Sequence, residues 1–218
     1  MQVEIYETKE RVLADNEAAA RTVHERLSAQ GVFLINLMGS PGAGKTSVLL
    51  KLIEAWKDQY RIGVMEADVD SDVDARTIAA TGVRAIQLHT GGLCHMDADM
   101  TDRGLLRMGT EGLDLVILEN IGNLVCPAEF DTGADLRLMI LSVPEGDDKP
   151  LKYPLMFQTS DILLVNKIDT APIFDFDLER LRQHIDAIHP GMPIFPVCAA
   201  SGEGFEPFLK ELAARIGK

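Results

Sequence analysis

Eight consecutive residues, Gly39-Ser40-Pro41-Gly42-Ala43-Gly44-Lys45-Thr46, constrain this chain more than any other segment. They fit G-x-x-x-x-G-K-[ST], a phosphate-binding loop, and they stand in the context that loop needs. The apolar run Val32-Phe33-Leu34-Ile35-Asn36-Leu37-Met38 before them reads as a buried strand. Ser47-Val48-Leu49-Leu50-Lys51-Leu52-Ile53 after them reads as the start of a helix. Glycines let backbone N–H groups turn inward and approach phosphate oxygens, and the helix N-terminus adds partial positive charge. Gly39, Gly42, Ala43, Gly44 and Ser47 are therefore the expected phosphate cradle. Lys45 is expected to reach the β- and γ-phosphates, and the Thr46 hydroxyl to ligate Mg²⁺.

The rest of the chain alternates in the same manner. Apolar runs recur at 32–38, 61–66, 83–88, 113–118, 136–143, 161–166 and 193–198. Helix-like segments lie at 8–30, where Gly31 supplies the stop, and near 45–57, 71–81, 97–109, 151–159, 175–189 and 203–216. Continuous apolar strands alternating with helices predict an α/β fold of the P-loop NTPase type, a mostly parallel sheet with helices on both faces. There is no internal repeat and no linker, so residues 1–218 read as a single nucleotide-binding domain with an N-terminal helix at about 8–30.

A formal net charge of −13 argues against nucleic acid and against anionic lipid as partners, since both select clustered Lys and Arg. No run approaches the ~20 apolar residues of a membrane helix. Met1-Gln2-Val3-Glu4-Ile5-Tyr6-Glu7 is too polar for a signal peptide. A cytoplasmic protein is expected. Three cysteines, Cys94, Cys126 and Cys198, do not make a disulfide framework.

Base selection is read from Leu163-Leu164-Val165-Asn166-Lys167-Ile168-Asp169, a strand ending in N-K-x-D about 120 residues after the phosphate loop. A carboxylate at Asp169 can accept two hydrogen bonds from guanine N1 and N2. Adenine offers no such donor pair and would leave the carboxylate unpaired. Asn166 and Lys167 are expected to brace the loop. Pro196-Val197-Cys198-Ala199-Ala200-Ser201-Gly202 loosely resembles the S-A-K loop of G proteins, from which only the backbone of Ala199 is carried over. The nucleotide is thus expected to be GTP or GDP.

Asp68 ends the strand before the acidic stretch Asp68-Val69-Asp70-Ser71-Asp72-Val73-Asp74, and Glu119 ends the strand Asp114-Leu115-Val116-Ile117-Leu118. Carboxylates at these strand ends hold Mg²⁺ directly or through water. Asp68 and Glu119 are expected to do so, whereas Asp70 and Asp72 read as solvated helix caps. The acidic stretch also reads as a switch loop answering to the γ-phosphate. Lys45 and Asp68 are the expected catalytic residues. No Gln or Arg is evidently placed to orient water, so slow hydrolysis is expected. Cys94 and His95 are adjacent, and Cys126 follows the next strand. From spacing alone these are either a Zn²⁺ or Ni²⁺ site lacking a fourth ligand or two buried thiols and a surface histidine.

Taken together, the phosphate loop, Cys94-His95-Met96-Asp97-Ala98, Asn166-Lys167-Ile168-Asp169 and Glu119-Asn120-Ile121-Gly122-Asn123-Leu124-Val125-Cys126-Pro127-Ala128, running on into Glu129-Phe130-Asp131, resemble the hydrogenase nickel-incorporation GTPases, the hydrogenase accessory protein B family. The resemblance spans the chain from about residue 8 and is most specific at E-N-x-G-N-L-V-C-P. It implies a cytosolic GTPase that helps place nickel in nickel–iron hydrogenase and forms a homodimer when GTP-bound. It also implies Ni²⁺ or Zn²⁺ carried at the dimer interface by Cys94, His95 and Cys126, a shared site that supplies the missing ligands. The implied partners are hydrogenase accessory protein A, a nickel metallochaperone, and the hydrogenase large-subunit precursor. Lys152 matches a family segment near the switch and is assigned to the nucleotide of the other subunit.

The chain departs from many relatives in lacking a histidine-rich N-terminal stretch and an N-terminal Cys-x-x-Cys motif, so no nickel storage is expected there. Asp99 and Arg103 stand where some relatives have histidines. Ser40 and Pro41 replace the early loop lysine of related dimeric ATPases. The runner-up readings are a urease-type accessory GTPase, disfavoured by Ala128 after Cys126-Pro127 in place of the histidine of that family's Cys-Pro-His motif, and a non-catalytic dimer assembled by GTP. A P-loop kinase is disfavoured by Asn166-Lys167-Ile168-Asp169 and the lack of a lid segment.

Overall fold

The structure, a computed structural model, describes residues 8–68 and 73–217. The segment read for a signal peptide, Asp70, Asp72 and most of the expected switch loop lie outside the described residues. Among those described, α1 runs Thr8–Gln30, β1 Phe33–Gly39, α2 Lys45–Trp56, β2 Ile62–Asp68, α3 Val73–Ala79, β3 Arg84–His89, α4 Ala98–Met108 and β4 Leu115–Glu119. Then follow α5 Cys126–Glu129, β5 Leu136–Ser142, α6 Lys149–Lys152, α7 Pro154–Thr159, β6 Ile162–Asn166, α8 Leu178–Asp186, β7 Ile194–Pro196 and α9 Phe205–Ile216. The seven strands form one parallel sheet in the order β3-β2-β4-β1-β5-β6-β7.

The apolar runs are continuous because both faces of the sheet are covered. In β1, Ile35 and Leu37 join a core with Val48, Leu49, Leu52 and Ile53 of α2 and with Phe208 and Leu212 of α9. Leu34 lies on the opposite face with Val23 and Leu27 of α1 and Leu105 of α4. Strand β5 divides likewise: Leu138 and Ile140 pack with α2 and α9, Met139 and Leu141 with α7 and α8. Period-two alternation and burial on both faces account for strands that read as unbroken hydrophobic runs. Each fully buried Leu or Ile contributes roughly 1.5–3 kcal/mol relative to exposure.

Helix α1 stops as its sequence dictates. Gly31 takes φ 68°, and the Val32 N–H closes back onto the Leu27 carbonyl at 3.0 Å. The helix expected at 151–159 is instead two short helices. Pro154 has no N–H to continue the first, and Tyr153 leaves helical space at φ −132°, ψ 54°. The helix expected from 175 starts at Leu178, because the Asp177 carboxylate caps it by accepting from the Glu179 and Arg180 N–H groups. Strand β7 is shorter than the run 193–198, and the single turn α5 has no counterpart in the sequence reading.

Strand β1 lies at the centre, with β4 on one side and β5 on the other. Chain order diverges there, and ligands of open parallel sheets bind beyond the carboxyl ends of strands at such a point. The loops after β1, β4 and β6 all open toward that end.

Candidate nucleotide and metal sites

The phosphate loop leaves β1 at Gly39, whose φ of 156° sets its Cα against β5: a Cβ there would lie 2.5 Å from the Ile140 carbonyl oxygen. Gly44, at φ 95°, caps α2 through its backbone, and a Cβ on it would collide with the Asn166 amide. These two glycines are required by close approach as well as by backbone angle. A cavity of about 640 Å³ opens over the loop, lined among others by Gly42, Gly44, Lys45, Thr46, Ser47, Asp68, Asp74 and Glu119. A second, of about 490 Å³, adjoins it through Gly44, Ser47 and Lys167 and is lined further by Asp169, Cys198, Ala199 and Ala200.

The expected base-reading residues meet the phosphate loop directly. The Asn166 amide donates to the Ala43 carbonyl at 3.0 Å, and its Oδ1 accepts from the Ala199 N–H at 3.1 Å. Lys167, held at φ 61°, donates from Nζ to the Gly42 carbonyl at 2.7 Å. One asparagine thus fixes β6, the phosphate loop and the loop after β7 relative to one another. Cys198 is buried in that last loop.

The phosphate end is strongly acidic. Lys45 is half-buried with its ammonium 3.4 Å from the Ser40 carbonyl; desolvation lowers its pKa, and Glu119, Asp74, Glu145 and Glu66 oppose that. Glu119 is 3% exposed and accepts from the Thr46 hydroxyl at 2.9 Å. Its Oε2 has no hydrogen-bond partner. Burial pushes the Glu119 carboxyl up to about 7 against the pull of Lys45 and Thr46. Glu66, on β2, is equally buried and also pushed up to about 7 by burial, with the Gln87 amide acting the other way. The hydroxyl of Thr46, the orphan oxygen of Glu119 and the strand-end carboxylate of Asp68 are hard oxygen donors of the kind Mg²⁺ takes, so these residues fit the ion.

The structure brings Cys94, His95 and Cys126 together. Their ligand atoms all lie within 4.8 Å of one another, with 3.0 Å between the two sulfurs and 3.9 Å from Cys94 Sγ to His95 Nδ1. Cys94 is exposed and Cys126 half-buried, so the alternative of two buried thiols does not hold. The His95 ring stacks on Phe130 with centroids 4.0 Å apart. Burial lowers the His95 pKa against Asp97 and Glu129, favouring the neutral imidazole a metal needs. The Cys126 thiol is raised first by its hydrogen bond with Cys94 and then by burial. A soft, open, three-ligand cluster of this kind suits Ni²⁺ or Zn²⁺ as cargo.

Residues 119–126 connect the two sites. Gly39 and Asn123 form an antiparallel bridge, and Gly122 packs so closely on Pro41 that a Cβ would lie 2.8 Å from its ring. Asn123 donates to the Cys94 carbonyl at 3.1 Å and accepts from the Val125 N–H at 2.9 Å. Asn120, fully buried, donates to Asn36 at 3.1 Å and accepts from the Met96 N–H at 3.2 Å. The sequence reading gave roles to Glu119 and Cys126 but quoted Asn120, Asn123 and Phe130 only as parts of a motif, and it gave Glu66 no role. Glu66 left a signal, a lone carboxylate inside the apolar run of β2. Lys152 lies apart from the cavity residues, exposed on α6 and paired with Asp148 at 2.5 Å.

This fold and these residues define a P-loop NTPase with a thiolate–imidazole cluster built against its phosphate loop. The family profile described as CobW/HypB/UreG, nucleotide-binding domain, matches residues 33–196. The Hydrogenase maturation factor HypB of Azotobacter vinelandii is 42% identical over 206 residues, covering 94% of this chain and 68% of that protein. The Hydrogenase/urease maturation factor HypB of Helicobacter hepaticus is 40% identical over 189 residues, 85% of this chain and 77% of that protein. The crystal structure of HypB from Helicobacter pylori in complex with nickel superposes with a TM-score of 0.86 at 35% identity, covering 93% of this chain and 95% of that one. The chain belongs to the HypB family of hydrogenase maturation factors. Among the described residues, no helix is long and apolar enough to cross a membrane.

The raised carboxyls make a pH prediction. Glu66 and Glu119 hold their protons more tightly folded than unfolded, where both titrate near 4.5. Their contribution to stability is complete below about pH 4.5 and is lost as pH rises through about 7. The melting temperature of the nucleotide-free protein is expected to fall between pH 5.5 and 8, with about 1.4 kcal/mol at stake per pKa unit. Glu119→Gln, which mimics the protonated form, is expected to flatten that fall. Equal slopes for the two proteins in a calorimetric pH series would contradict this origin.

Proposed function

We propose that this chain is a single-domain GTPase that carries nickel for hydrogenase maturation, coupling the state of its nucleotide to the state of its metal cluster. The observation that carries the reading is the segment 119–126, which holds Thr46 at one end, touches Gly39 and Pro41 in the middle and presents Cys126 at the other. A segment pinned to the phosphate loop and to both thiols cannot shift at one site without moving the other.

In this reading Gly39, Gly42, Ala43, Gly44, Lys45, Thr46 and Ser47 hold the phosphates, and Asp169 reads guanine with Asn166, Lys167 and Ala199 fixing its loop. Thr46, Asp68 and Glu119 would hold Mg²⁺, which would supply charge neutralisation for the phosphates. Lys45 neutralises the transferred phosphoryl group, and Asp68 lies at the mouth of the same cavity. Water adds to the γ-phosphorus as the bond to GDP breaks, releasing phosphate and a proton. Turnover is slow, because among the described residues no Arg or Gln lines the cavity to finish the transition state. Binding of GTP favours the homodimer, and Cys94, His95 and Cys126 of two subunits share Ni²⁺ or, in its place, Zn²⁺. The nickel is received from hydrogenase accessory protein A and passed to the large-subunit precursor in the cytoplasm. The name of the Helicobacter hepaticus relative, which includes urease, favours a second reading in which the cargo also serves that enzyme.

Three outcomes are expected. Nickel affinity, measured by competition with a chromophoric chelator, differs between the GDP and GTP-analogue states of the wild type and is lost in Cys94→Ala. Binding indifferent to both nucleotide and mutation would remove the metal reading. Asp169→Asn loses guanine selectivity by about 100-fold, since an amide cannot accept from both guanine donors; unchanged selectivity against xanthine and adenine nucleotides would contradict its role. Lys152, which we assign to the nucleotide across the dimer, is tested by Lys152→Ala, with GTP turnover and dimer formation both expected to fall; wild-type values for both would end that assignment.

A further inference from the structure

Glu66 of β2 and Glu119 of β4 are register partners in adjacent parallel strands, so their side chains leave the same face of the sheet. Both line the nucleotide cavity together with Lys45 and Thr46 at the head of α2. Each is 3% exposed, and each has one buried carboxylate oxygen, Oε2, without a hydrogen-bond partner. The other oxygen of Glu119 is occupied by the Thr46 hydroxyl.

Native proteins rarely leave buried polar atoms unsatisfied, and two orphan oxygens on register-paired residues that line a cavity call for water or an ion. The protein supplies too little itself. Lys45 is the ammonium group among them, while Asp68, Asp74 and Glu145 add negative charge. The Gln87 amide, next in register on β3, is near enough to favour the charged form of Glu66, yet its own Nε2 and Oε1 make no hydrogen bond and Glu66 Oε2 stays unpartnered. A hydrated Mg²⁺ ion offers what is missing, because it keeps several of its waters when bound to nucleotide and those waters donate to carboxylates. A purely structural pair would instead share one proton between the carboxyls and need no ion.

We propose that Glu66 is a positioning residue for the nucleotide-bound Mg²⁺, accepting hydrogen bonds from the water shell of the ion beside Glu119. This rests on the reading of Thr46, Asp68 and Glu119 as the Mg²⁺ side of the pocket. Glu66 thus adds a carboxylate from the middle of a strand to the strand-end pair. It holds the shell from beneath, through waters, without contacting the phosphates.

The test is the Mg²⁺ dependence of binding of a fluorescent, non-hydrolysable GTP analogue to the full chain, in the wild type and in Glu66→Gln. The isosteric amide keeps volume and burial but accepts weakly. Affinity in EDTA is expected to agree within about twofold, while the Mg²⁺ concentration for half-maximal tightening rises about tenfold, the usual size of an outer-shell effect. Displacement of free Mn²⁺, followed by electron paramagnetic resonance, is expected to show the same shift. A Mg²⁺ requirement unchanged in Glu66→Gln would overturn the proposal and leave a proton-sharing pair. Should Glu66→Gln fail to bind the analogue even in EDTA, Glu66→Asp takes its place; the shortened carboxylate is expected to raise the Mg²⁺ requirement, and an unchanged one overturns the proposal equally. If the wild type shows no Mg²⁺ dependence at all, the underlying reading of the pocket fails first.

Discussion

The antiparallel bridge between Gly39 and Asn123 is the contact on which the rest of the molecule depends. Gly39 begins the phosphate loop; Asn123 belongs to the loop that carries the second thiol. Because Gly122 lies against Pro41 and Asn123 holds the Cys94 carbonyl, the phosphate loop and the metal cluster share a wall of backbone. The buried pair Asn36–Asn120 repeats the connection one layer deeper, from β1 to the Met96 N–H beside the cluster. A well-packed junction of this kind responds by switching between discrete arrangements and not by gradual deformation, and in the function proposed above this is how loss of a phosphate would reach a sulfur.

Electrostatics explains why such a junction is poised. The cavity gathers Glu66, Asp68, Asp74 and Glu119 with two lysines, Lys45 and Lys167, an excess of acidic groups beside a phosphate-binding loop. Two of the carboxyls are held up to about 7 by burial. In the proposed function nucleotide would enter this environment with a cation, which would satisfy buried carboxylate oxygens that lack a hydrogen-bond partner. At the cluster, burial favours the neutral His95 and the two thiols share a hydrogen bond, so in the proposed function metal binding there would release a proton.

How much of this was legible in the sequence follows from what kind of signal each part leaves. The phosphate loop, the N-K-x-D segment and the alternation of strands and helices are local patterns, and the parallel sheet with helices on both faces follows from them. Cys94, His95 and Cys126 are residues of marked chemistry, but their convergence is a tertiary fact: it required β3 and β4 to end at the same edge. The split of 151–159 into two helices was written in Pro154, whose missing N–H and clash with the preceding turn outweigh the apolar pattern around it. Asn120 and Asn123 were illegible as couplers because an asparagine after a strand reads as an ordinary loop residue; only the bonds to Asn36 and Cys94 reveal them. Glu66 was visible as a charge inside an apolar run, yet its meaning depends on the register that sets it beside Glu119.

The central claim is that the two sites exchange free energy through the Asn123 junction, and for binding such coupling is reciprocal. The most direct measurement is the affinity of a non-hydrolysable GTP analogue, and of GDP, with and without stoichiometric Ni²⁺, in the wild type and in Asn123→Ala. The account predicts that Ni²⁺ shifts the ratio of the two nucleotide affinities by about 5-fold or more in the wild type, the lower range of typical coupling, and that the shift collapses in Asn123→Ala while both sites still fill. A ratio untouched by Ni²⁺ in the wild type, or a full shift preserved in Asn123→Ala, would contradict it.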